Sequence, residues 1–125
     1  MPENKNFTAT VRNGYLELRY EPGFVLTDES SKEMTPEILS KCREAGLTRI
    51  LVLTGDTKKM TSPADTIASA ERAVKNKMQG FKFAVVRTGS ELSPDARFTE
   101  YVAENRGIFV KHFSDEKIAL EWLLE

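Results

Sequence analysis

Apolar and polar positions alternate with period two over residues 7–11 and 15–20. That spacing predicts two half-buried strands, because successive strand side chains point to opposite faces. Phe7, Ala9 and Val11 share one face of the first, and Leu16, Leu18 and Tyr20 share one face of the second. Asn13-Gly14 between them predicts a hairpin with a type I′ turn, whose two central residues need positive φ. Ile50-Leu51-Val52-Leu53 runs apolar without alternation, so this strand is expected to be buried on both faces. Residues 81–86 and 108–113 read as two further strands.

The intervening segments switch to helical spacing. Ile67, Ala70, Val74 and Met78 predict one core face, and Ile118, Ala119, Trp122 and Leu123 another. Phe98, Tyr101 and Val102 lie on the helix between them. Thr35, Ser62, Ser93 and Ser114 each precede a helical pattern, and the first three are followed by Pro. A hydroxyl there caps an orphan N–H of the first turn, and Pro is tolerated at the first helical position. The first helix is thus read as opening at Thr35-Pro36, with residues 28–33 as an alternative earlier beginning. Gly46 and Gly80 are read as stops.

The order ββαβαβαβα predicts an α/β fold with one mixed, mostly parallel five-stranded sheet. The single domain is expected to span residues 7–125, after a flexible N-terminus of residues 1–6. Ligands of open α/β sheets sit beyond the carboxyl ends of the strands. The connections at 21–34, 55–61 and 87–92 are therefore the places to search.

Composition removes several classes. With 125 residues, the chain is long enough for one domain with its own core. Charged residues make up 30% and hydrophobic residues 40%, which excludes wholesale disorder. The net charge of −1 gives no general attraction to nucleic acid. Cys42 and His112 are the only residues of their kinds, so no intramolecular disulfide and few metal or acid–base designs are possible. No cofactor is expected, since neither a dinucleotide fingerprint nor a Walker loop occurs. The polar N-terminus lacks the apolar stretch of a signal peptide, and a cytoplasmic location is expected.

No catalytic residue and no metal ligand set is predicted. Cys42 shares a helical side with Ile38, Leu39 and Ala45, the pattern of a buried structural thiol. His112 alternates with Ile108 and Val110 and reads as structural or surface-exposed. Thr54-Gly55 and Thr88-Gly89 both follow strands, and Asp56, Lys58, Lys59 and Arg87 lie close by in sequence. Exposed amides, hydroxyls and cations of this kind could hold a phosphate or carboxylate, or could simply punctuate strand ends. Residues 57–87 carry seven cations against Asp65 and Glu71, a basic stretch in an otherwise acidic chain. Such a stretch either steers an anionic partner or forms an ordinary solvated helix face. Phe24-Val25-Leu26 is an apolar run between elements, read either as a plug over the sheet end or as a flap over a pocket.

The element order and the C-terminal segment resemble the SpoIIAA-like branch of the STAS domains, relatives of anti-sigma factor antagonists. The resemblance rests on Phe98 to Gly107, and on His112-Phe113-Ser114-Asp115-Glu116 followed by Ala119, Trp122 and Leu123. It implies a non-enzymatic regulatory or protein-interaction module without a cofactor. It also implies a regulatory hydroxyl at the start of the helix after the third strand, where Thr57, Thr61 and Ser62 stand, although the Asp-Ser-Ser-Gly pattern is missing. Some members resemble the lipid-carrying CRAL-TRIO fold. The alternative function is therefore a carrier or sensor of a small amphipathic or anionic ligand, with Phe24, Leu26, Thr54, Asp56, Lys58, Lys59, Arg87 and Thr88 as candidate contacts. A protein partner, peripheral membrane contact and a homodimer through the hairpin edge are the expected associations.

Overall fold

The hairpin forms where the alternation places it. In the computed structural model, which describes residues 6–87 and 94–125, β1 (Phe7–Val11) pairs antiparallel with β2 (Leu16–Tyr20). Phe7 lies opposite Tyr20 and Val11 opposite Leu16. The turn differs from expectation. Gly14 takes φ 91°, but Asn13 does not take positive φ, so the geometry is not type I′. Residues 12–15 all lie in the loop, closed by the Arg12 N–H donating to the Tyr15 carbonyl at 2.8 Å. This longer loop removes the need for two left-handed residues in succession. Asn6 already belongs to the paired region, since its carbonyl accepts from the Glu21 N–H at 2.9 Å. Residues 1–5, Thr88 and the expected cap Ser93 lie outside the described residues.

The remaining elements are β3 (Val25–Leu26), α1 (Asp28–Ala45), β4 (Arg49–Leu53), β5 (Lys58–Lys59), α2 (Pro63–Lys75), β6 (Lys82–Val86), α3 (Pro94–Glu104), β7 (Phe109–Phe113) and α4 (Glu116–Leu123). The main sheet has the order β1-β2-β4-β6-β7, and every pairing after the hairpin is parallel. This is the expected mixed, mostly parallel five-stranded sheet. The short parallel pair β3–β5 was not anticipated. Two residues are too few for a period to show in sequence.

β4 is buried on both faces, with Ile50 and Leu51 at 0% exposure. Pleating sends Leu51 and Leu53, with Ala84 of β6, toward Ala119 and Leu123 of α4. Ile50 and Val52 turn the other way and pack with Leu39, Cys42 and Met78. Each such buried aliphatic side chain contributes about 1.5–3 kcal/mol. One face of the sheet is thus closed by α4, while α1, α2 and α3 lie over the other.

Two helix starts need correction. α1 begins at Asp28 rather than at Thr35. Thr27 is its cap: the Thr27 Oγ1 accepts from the Ser30 N–H at 3.1 Å, and the Ser30 Oγ accepts from the Thr27 N–H at 2.9 Å. Pro36 lies inside the helix, where a missing donor costs about 3 kcal/mol. It stands on the exposed side, where water can reach the freed carbonyl, while Met34, Leu39 and Cys42 anchor the buried side. The Thr35 hydroxyl donates back to the Ser31 carbonyl at 2.8 Å. In α4 the capping group is Asp115, whose Oδ1 accepts from the Ile118 N–H at 3.1 Å, and not Ser114. Ser62 caps α2 as expected. The apolar faces also shift: Ile67, Tyr101 and Ile118 are exposed, whereas Thr66 is buried.

Candidate functional site

Strand register sets out the floor of a cavity row by row. Phe83 lies level with Val110. One pleat further on, Leu18, Val52, Val85 and His112 lie level on adjacent strands. The next residues on the same face are Tyr20, Thr54 and Arg87, just past the ladder's end. The floor therefore grades from apolar to polar toward the carboxyl edge of the sheet.

Over this floor lies a cavity of about 290 Å³, on the face opposite α4. Met34 and Ile38 of α1, Ala70 and Ala73 of α2, and Ala103 of α3 form its roof. Leu26 of β3, Lys59 of β5, and Thr57 and Thr61 beside β5 form one wall. The β3–β5 pair is held by the Met60 N–H donating to the Leu26 carbonyl at 2.8 Å. Small and hydroxylated residues on α2 explain why its inward side was misread. Thr66, Ser69, Ala70 and Ala73 face the cavity, and Ile67 faces solvent.

Polar groups cluster at the carboxyl edge. Lys59 Nζ reaches Asp95 Oδ2 at 3.0 Å and the Thr99 hydroxyl at 3.0 Å. Thr54 Oγ1 donates to the Val86 carbonyl at 3.0 Å. The hydroxyls of Thr57 and Thr61 are buried and make no hydrogen bond among the described residues. Leaving such a group unmatched costs about 1–3 kcal/mol. No side chain among the described residues holds the Arg87 guanidinium by a hydrogen bond or ion pair. His112 is buried, with its Nδ1 2.9 Å from Glu100 Oε2. Burial pushes the imidazole below its ordinary value, Glu100 pulls it back up, and the charges of Arg87 and Lys59 push it down. Burial raises the Tyr20 phenol to about 12, so it remains a donor at neutral pH. At the outer rim the hydrogen bond from Arg72, at 3.2 Å, holds the Asp28 carboxyl below its usual range, and Lys32 adds to this.

The structure brings together Leu26, Thr54, Lys59 and Arg87 among the expected ligand contacts. Phe24 is not among the lining residues. It packs edge-on against Tyr20 in the core, with ring centroids 5.1 Å apart. Asp56 and Lys58 are exposed and do not line the cavity, and Thr88 lies outside the described residues. Of the three regulatory hydroxyl candidates, Thr57 and Thr61 face inward, and Ser62 stands exposed at the start of α2. The basic stretch disperses. Arg72 turns to Asp28 and Lys59 to Asp95, but Lys82 lies on the α4 side, donating to the Trp122 carbonyl at 2.7 Å. Cys42 does not line the cavity, and burial pushes its thiol up to about 11. Among the described residues, no group of three potential ligands could hold a metal ion, and no helix is long and apolar enough to cross a membrane.

His112, Tyr20 and Thr66 were missed as site residues. Alternation placed His112 on the same strand face as Val110. Its partner Glu100 lies on another element, and that juxtaposition has no signature in the sequence.

A crystal structure of an uncharacterized protein of the DUF3478 family from Shewanella loihica PV-4, described as having a SpoIIAA-like fold, matches the fold of this chain. The match has a TM-score of 0.60, covers 98% of both chains and has 20% sequence identity. The chain has a SpoIIAA-like fold. No family model and no curated protein matches the sequence. At this identity the likeness extends to the fold alone. Within the SpoIIAA-like fold, the polar end of this cavity coincides with the carboxyl edge of the parallel strands.

Proposed function

We propose that this protein is a non-catalytic binding module that carries or senses a small amphipathic molecule with an anionic head. The observation that carries this reading is the graded cavity, apolar along Phe83, Val85 and Val110 and polar at Tyr20, Arg87 and His112. An apolar body would displace water from the floor, which is favourable in proportion to the area covered. An anionic head would meet the Arg87 charge and the unmatched hydroxyls of Thr57 and Thr61. A protein partner that distinguishes the loaded from the empty form would make the module regulatory. A phosphorylation switch draws support from Ser62 alone of the three candidates, since its side chain is exposed.

Native and denaturing mass spectra of the protein isolated from its own host test the reading. A non-covalent mass present in the first and lost in the second is the expected result. No non-covalent mass in the native spectrum, together with a covalent phosphate on Ser62 in both, would favour the switch instead.

A further inference from the structure

The charges around the cavity narrow the head group, given the binding reading above. Among the described residues two cations line the cavity, Lys59 and Arg87. Lys59 is matched by Asp95 at 3.0 Å. Of the lining carboxylates, Asp28 is matched by Arg72 at 3.2 Å, and Asp65 accepts the Ser62 N–H at 2.9 Å at the start of α2. Glu100 accepts from the His112 backbone N–H at 2.8 Å and lies 2.9 Å from its ring Nδ1. Among the described residues, Arg87 is the lining cation that no carboxylate pairs, and its planar fork matches a carboxylate with two parallel hydrogen bonds. A dianionic phosphate would bring a second negative charge into a cavity that Asp28 and Asp65 already line. The hydroxyls of Thr57 and Thr61, buried and without a hydrogen-bond partner among the described residues, supply single donors. Size narrows the tail: 290 Å³ stands at the lower end of ligand pockets, which run from about 300 to 1,000 Å³. That suits one chain and not two.

We propose that the cavity takes the anion of a single-chain monocarboxylic acid, its carboxylate forked on Arg87 and its chain laid along Val85, Phe83 and Val110. The apolar rows run away from Arg87, so head and tail positions are set by strand register.

Calorimetric titration of the full chain with octanoate, octan-1-ol and octyl phosphate tests this. Octanoate is expected to bind about tenfold or more tighter than either of the others, a difference of about 1.4 kcal/mol. Arg87→Lys keeps the charge but loses the fork. It is expected to weaken octanoate about tenfold while leaving octan-1-ol unchanged, which also shows that the cavity is intact. Equal binding of octanoate and octan-1-ol, or tighter binding of octyl phosphate, would overturn the carboxylate assignment while the cavity reading stands. No binding of any probe would overturn the cavity reading itself and this inference with it. If the variant loses octan-1-ol as well, the order of the three probes on the wild-type chain decides.

Discussion

One carboxylate oxygen of Glu100 holds His112 at two points. Its Oε2 accepts from the His112 backbone N–H at 2.8 Å and lies 2.9 Å from the ring Nδ1. An ionised carboxylate only accepts, so Nδ1 carries the proton and the ring is fixed in one orientation. The backbone bond ties the end of β7 to α3, and the ring becomes part of the cavity floor.

This arrangement sets the direction of a pH effect. Burial lowers the imidazole below 6.5, its value in the unfolded chain. Between the depressed value and 6.5 the folded state binds fewer protons than the unfolded one. Stability therefore rises with pH across that window and is level above it, as far as this group is concerned. The chain has one histidine, so its ring proton resonances can be followed without assignment ambiguity. The expected midpoint lies below 6.5, and Glu100→Gln should lower it further by removing the charge that favours the imidazolium. A midpoint at or above 6.5 in the wild-type chain would show that Glu100 outweighs burial.

Ala70 lines the cavity roof from α2. Ala70→Leu should fill space that is otherwise open to a ligand. The expected outcome is a loss of octanoate binding of about tenfold or more. Urea unfolding should show stability unchanged or raised by up to about 1 kcal/mol. A destabilisation of about 1–3 kcal/mol, the usual cost of overpacking, would mean that the roof has no room there.

Two threonines near the start of α1 should respond differently to truncation. Thr27→Ala removes the hydroxyl that accepts from the Ser30 N–H, and should cost about 1 kcal/mol in urea unfolding. Thr35→Ala removes only a hydroxyl bonded back to the Ser31 carbonyl within the helix. It should cost less, because Ala has the higher helix propensity. Ser62→Ala should resemble Thr27→Ala, since Ser62 Oγ accepts from the Asp65 N–H at 3.1 Å. Equal costs for Thr27 and Thr35 would contradict a helix that starts at Asp28.

The fold was legible where burial imposes a period. Alternation reports the half-buried Phe7–Tyr20 hairpin directly, and the unbroken apolar run Ile50 to Leu53 reports a strand buried on both faces. The beginning of α1 was legible only as the alternative over residues 28–33, because Thr35-Pro36 has the composition of a helix start and Pro36 is tolerated inside by its exposed position. Thr27-x-x-Ser30 carries Ser where Glu or Gln would have strengthened the signal. The cavity was half legible. The connections at the strand ends directed attention to Leu26, Thr54, Lys59 and Arg87. Phe24, adjacent to the short strand β3, went to the core because its ring found Tyr20. Thr66 was invisible to a search for apolar stripes, because a helix side facing an open cavity carries no large apolar residues.

The closed face of the sheet has a consequence for spectroscopy. Trp122, the chain's one tryptophan, packs there against Phe113, with ring centroids 5.7 Å apart and Lys82 Nζ 4.4 Å from its ring. It is separated from the cavity by the full thickness of the sheet. Its emission therefore gauges whether the protein is folded while staying blind to cargo, so intrinsic fluorescence tells a chain that has lost its structure from one that has lost only its ligand.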